Sequence, residues 1–102
     1  MNSLSSFEQK MIVHLHALAT VLLAQKMYGR LSMVASLLSG LSSGGWQRLG
    51  DEEQTCVVDK MVDDFHVRAW DDWDFRDPTL SAIRELIYAQ QRGIQSRAKQ
   101  GH

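Results

Sequence analysis

Apolar side chains recur through the first quarter of the chain in steps of three and four. Phe7, Met11, Leu15, Leu18 and Leu22 follow one another at intervals of 4, 4, 3 and 4, with Ile12, Ala19 and Leu23 in a second row beside them. That spacing is the period of an amphipathic helix. Ser5 followed three residues later by Glu8 is a capping-box pattern with Leu4 placed as its staple, and Gly29 can take the left-handed conformation that closes a helix. The pattern predicts a helix from Ser5 to about Tyr28. Its apolar stripe is wide enough to need covering on more than one side, by the rest of the domain or by a second copy of the chain. On that ground Phe7, Met11, Leu15, Leu18 and Leu22 are the expected interface of a homodimer.

A shorter helix is predicted from Leu31 to Leu41 on the stripe Leu31, Val34, Leu37, Leu38 and Leu41. Ser42-Ser43-Gly44-Gly45 then reads as a flexible loop, pinned to the core by Trp46 and Leu49. A third helix is expected from Asp51, where Asp51, Glu52 and Glu53 suit the positive end of the helix dipole. Val58, Met61, Val62, Phe65 and Ala69 would form its inner face, leaving Asp59, Lys60 and Asp63 outside. The pattern dissolves over Trp70-Asp71-Asp72-Trp73-Asp74-Phe75, which reads as a connector. Asp77-Pro78 supplies an N-cap and a first-turn proline, starting a fourth helix with Leu80, Ile83, Leu86, Ile87 and Ala89 to Gln90 along its inner edge. Fraying is expected after Gly93, with residues 94–102 as a mobile basic tail.

No stretch alternates with a period of two, and β-branched residues are nowhere concentrated. The expected fold is therefore an all-α, four-helix single domain, consistent with 102 residues, 44% of them apolar and 23% charged. The one cysteine, Cys56, has no intramolecular partner, and a free thiol suits the reducing cytoplasm. The run from Met11 to Met27 is interrupted by His14, His16, Gln25 and Lys26, so neither a membrane span nor a signal peptide is expected. Seven arginines against four lysines, with a single asparagine, is a composition associated with GC-rich bacterial genomes.

Charge changes the picture more than composition does. The net charge of −1 conceals a division by region. Residues 1–50 set Glu8 against Lys10, Lys26, Arg30 and Arg48, whereas residues 51–77 hold ten carboxylates against Lys60, Arg68 and Arg76. Segregation of this kind speaks to partners and not to fold.

Candidate chemistry is sparse. His14 and His16 lie roughly 200° apart around a helix, which prevents joint chelation, and His66 and Cys56 have no recognisable catalytic partners. The aspartates around position 70 lack the alternation, the glycine and the terminal glutamate of an EF-hand loop. No catalytic residue, metal ligand or cofactor is predicted. A DNA-reading helix is not expected either, because the helix after Gly44-Gly45-Trp46-Gln47-Arg48 opens with three acids that phosphate would repel.

The segment Trp70, Asp71, Asp72, Trp73, Asp74 and Phe75 is the expected protein-binding site, its aromatics supplying contact area and its carboxylates steering a basic partner. The same aromatics could instead plug the end of the helical core. The function expected is a non-enzymatic, protein-binding bacterial regulator that inhibits a transcription factor or similar partner in the manner of an antiactivator. The alternative is an acidic mimic of nucleic acid, which would occupy a nucleic-acid-binding complex through its carboxylates.

Overall fold

Ser5 starts the first helix as its sequence predicts. Its Oγ accepts the Glu8 backbone N–H at 3.3 Å, while Glu8 Oε1 accepts the Ser5 backbone N–H at 3.0 Å, completing the reciprocal capping box. Helix α1 then runs Ser6–Ala24. The computed structural model of the protein describes residues 4–71 and 78–100, with side chains as far as residue 97. All of its regular structure is helical: four longer helices, one of four residues and a 3-10 turn, with no strand among the described residues.

The end of α1 departs from expectation. The chain turns at Lys26, whose φ is 60°, and not at Gly29. Lys26 N–H donates to Leu23 O at 3.1 Å and Met27 N–H to Leu22 O at 2.9 Å. These two bonds form a Schellman cap, which satisfies carbonyls the helix end would otherwise orphan. Gly29 consequently lies inside α2, which spans Tyr28–Ser42 and begins three residues before the predicted Leu31. Its end is the second left-handed site: Gly44, at φ 76°, donates to Leu41 O at 3.1 Å. The expected flexible loop is thus a tight turn into α3, Gly45–Arg48. A side chain at Gly45 would bring a Cβ within 2.9 Å of the Gly40 carbonyl, so the turn has room only for glycine there.

Helix α4 spans Asp51–Asp64 and buries Val58 and Met61. Phe65 follows as its buried C-cap residue, whereas Ala69, predicted as a fifth inner position, is exposed because the helix has ended five residues earlier. A 3-10 turn, Val67–Trp70, takes its place, with His66 Nδ1 accepting the Arg68 backbone N–H at 3.2 Å. Helix α5 spans Pro78–Gln100. The predicted N-cap, Asp77, lies outside the described residues. The expected mobile tail is corrected by α5 itself, which continues past Gly93 and buries Ile94. Arg97 Nη2 stands 3.7 Å from Asp51 Oδ1 and donates to Gln54 Oε1 at 3.4 Å, so tertiary partners on α4 hold the last turns in place.

The chain divides into two compact units, Met1–Arg48 and Leu49–His102. In the first, α1 packs on α2, and α2 on α3. Phe7 and Trp46 meet there with ring centroids 5.1 Å apart and planes tilted by 50°. In the second unit, α4 packs on α5, with Gln91 Nε2 donating to Asp59 Oδ1 at 3.0 Å along their outer edge.

Candidate functional site

The five side chains expected to pair two copies of the chain are interior. Phe7, Met11, Leu15, Leu18 and Leu22 are all buried within the chain, whereas in the second row Ile12 and Ala19 are half-buried and Leu23 is exposed. Glu8 shares the burial of the first five at 0% exposure. Its Oε1 accepts Ser5 N–H, Ser5 Oγ–H at 2.9 Å and Gln47 Nε2–H at 2.8 Å, which anchors α3 to the start of α1. All three bonds converge on Oε1, while Oε2 is buried with no hydrogen-bond partner among the described residues.

Of the expected acidic-aromatic site, Trp70 is also interior. It stacks on Phe65 with centroids 5.9 Å apart and planes within 7°, and its Nε1 donates to Asp64 O at 2.9 Å. Arg84 Nε, from α5, donates to Phe65 O at 2.6 Å. Together these two side chains satisfy carbonyls at the end of α4 and place a cation at the negative end of its dipole. Trp70 therefore plugs the end of the core and is not a contact residue. Asp71 is exposed. Asp72, Trp73, Asp74 and Phe75 lie outside the described residues.

The surface that sequence reasoning missed is the outer side of α1. Gln9, Val13, His16, Thr20 and Leu23 are spaced 4, 3, 4 and 3 residues apart and are all exposed. Steps of this kind keep successive side chains on one ridge, about 21 Å long at 1.5 Å per residue. Val13 is 65% exposed and Leu23 57%, and Tyr28, just across the turn at the start of α2, is 59% exposed. Thr20 Oγ1 donates back to His16 O at 3.0 Å, so its hydroxyl is already satisfied by the helix. Ala17 and Ala24 lie beside the ridge, both exposed and both small. A signal was present in the sequence, because Val13 and Leu23 fall outside the main stripe, but single exposed apolar residues are common enough to pass unnoticed.

The electrostatics of this unit are one-sided. Glu8 is the only acidic side chain in residues 1–48, and it is fully buried. Lys10, Lys26 and Arg48 are exposed and Arg30 is half-buried. The surface of Met1–Arg48 therefore carries cations and no carboxylate. The second unit is the reverse along α4, where Asp51, Glu52, Glu53, Asp59 and Asp63 are exposed and Lys60 pairs with Asp64 at 3.0 Å.

Among the described residues no group of three or more His, Cys, Asp and Glu side chains is placed to hold a metal ion. A small depression between α4 and α5, floored by Val58 and Ile94, brings together Thr55, Asp59, Gln91 and Gln95. Among the described residues no helix is long and apolar enough to cross a membrane. No protein family, no curated protein and no solved structure matches the chain.

Proposed function

We propose that the protein is a non-enzymatic binding module that works by docking another protein on the outer face of α1. One observation carries this reading: Val13 and Leu23, each more than half exposed, belong to a continuous ridge with no lysine, arginine or carboxylate in it. Helix faces turned to water normally carry polar or charged side chains, and here Gln9, His16 and Thr20 are joined by two exposed aliphatic ones. Two large aliphatic side chains on an uncharged ridge form the kind of contact strip that helix-in-groove or helix-on-helix recognition uses. A small bacterial cytoplasmic regulator that covers a working surface of a transcription factor is the role that suits such a module.

The test is a comparison of the wild-type chain with the double variant Val13→Glu/Leu23→Glu in affinity purification from the native host. Both positions are exposed, so the variant should keep its circular dichroism and unfolding midpoint. Proteins retained by the wild type should be lost from the variant. Retention of the same set by a folded variant would remove α1 from consideration.

A second reading rests on α4, whose exposed carboxylates could occupy a cationic groove in place of nucleic-acid phosphates. It calls for inhibition that weakens steeply with salt and with Asp59→Asn/Asp63→Asn. Val13→Glu/Leu23→Glu would leave that inhibition unchanged.

A further inference from the structure

The proposed binding role leaves the chemistry of the partner open, and the charge distribution of the first unit narrows it. This inference rests on that role and adds to it. The ridge from Gln9 to Leu23 has a cation near each end: Lys10 beside Val13 on α1, and Lys26 in the turn just after Leu23. Within this unit no carboxylate competes for either, because its only acid is sealed inside the capping box, where Ser5 and Gln47 hold one of its oxygens. A ligand approaching this face meets two exposed aliphatic side chains, Val13 and Leu23, set among Gln9, His16 and Thr20, and every exposed charge that this unit itself contributes is positive.

Two features bear on the shape of the ligand. The exposed row runs straight along α1 in steps of 4, 3, 4 and 3 residues, with its aliphatic side chains at Val13 and Leu23. Ala17 and Ala24, seven residues apart beside the row, leave space for a neighbouring helix to come close, toward the short end of the roughly 8–10 Å range of helix packing.

A second copy is the wrong chemistry. The same face of another molecule would set cations against cations with no acid to compensate, and the chain's own acidic helix, α4, has committed its apolar residues Val58 and Met61 to the interior of its unit. A lipid surface is also a poor match. Membrane-adsorbed helices bury a broad face rich in Trp, Phe and Leu, whereas this ridge holds two large aliphatic residues separated by His16 and Thr20.

We propose that the outer face of α1, flanked by Lys10 and Lys26, is the docking surface for an acidic amphipathic helix of another protein. Its apolar side chains lie on the Val13 to Leu23 ridge, and its carboxylates meet the two lysines.

The experiment pans the full chain against a displayed library of 18-residue helical peptides with randomised surface positions. Vesicles of three parts phosphatidylcholine to one part phosphatidylglycerol are tested in parallel. Enriched peptides should be acidic, should bind at least tenfold more weakly to Val13→Glu/Leu23→Glu, and should lose affinity between 50 and 500 mM salt, values of about one and several Debye lengths of screening across the site. Lys10→Glu/Lys26→Glu, exposed at both positions and so expected to fold, should invert the charge of the peptides selected. Enrichment of neutral or basic peptides would overturn the proposal. So would an empty selection, or binding to the vesicles that the valine and leucine substitutions abolish. The two readings separate cleanly: host proteins lost from Val13→Glu/Leu23→Glu but insensitive to Lys10→Glu/Lys26→Glu would preserve the binding role and reject the acidic partner, while retention of all of them would reject both.

Discussion

Lys26 holds the backbone where glycine usually sits. It is the one non-glycine residue with positive φ among the described residues, and that conformation costs an L-residue about 1–2 kcal/mol against the αR region. Glycine removes the strain but gives back about 0.5–1 kcal/mol of chain entropy. Lys26→Gly should therefore raise the free energy of unfolding by about 0.5–1 kcal/mol, read from the urea midpoint at unchanged slope. Trp70 makes the opposite case. Trp70→Phe keeps a ring against Phe65 but abandons the bond to Asp64 O, and should cost about 1 kcal/mol or somewhat more where the carbonyl is left without a donor. The two residues also differ in how readable they are. Ser5 and Glu8 announce the start of α1 because their partners are three residues apart. The Schellman cap at Lys26 has no such mark, and Gly29 nearby supplied a misleading one. For Trp70, sequence could state both roles but not choose between them, since the choice depends on Phe65 and the end of α4 coming together in space.

At the scale of elements, the four longer helices were legible from the apolar period, and so was the start of α4 at Asp51. Their ends were less so. Helix α5 extends well beyond the expected fray because Ile94, Arg97 and their partners on α4 reward continuing the helix more than Gly93 penalises it. Gly93 itself contributes nothing that a glycine alone could provide: it is exposed, and a Cβ there would meet no atom within 4 Å. Gly93→Ala should then stabilise the chain by about 1 kcal/mol, the difference in helix propensity between the two residues, seen as a higher thermal midpoint. Ile94→Ala at the next position should lower stability by about 2–4 kcal/mol, because it empties a buried site. Equal, small effects at both positions would mean that the end of α5 is as loosely held as its sequence suggested.

For the whole molecule, the informative contrast lies between the two sides of α1. The apolar surplus of this helix was visible in the sequence, but its pattern cannot distinguish burial within one chain from burial between two. In the structure the inner stripe is covered and a separate, narrower row faces outward. The two sides should respond to substitution in unrelated ways. Leu18→Ala, on the covered side, should destabilise the chain by about 2–5 kcal/mol, with an unfolding midpoint that does not move with protein concentration. Val13→Ala, on the outer side, should change stability by no more than about 0.5 kcal/mol while weakening any complex formed there. Folding tied to a second copy would instead make the wild-type midpoint climb with concentration, by mass action, and Leu18→Ala would steepen that climb. Thermal melts of the wild type and both variants across a hundredfold range of concentration decide between these outcomes. A flat midpoint for all three means that the inner stripe of α1 is buried within one chain and that folding needs no second copy.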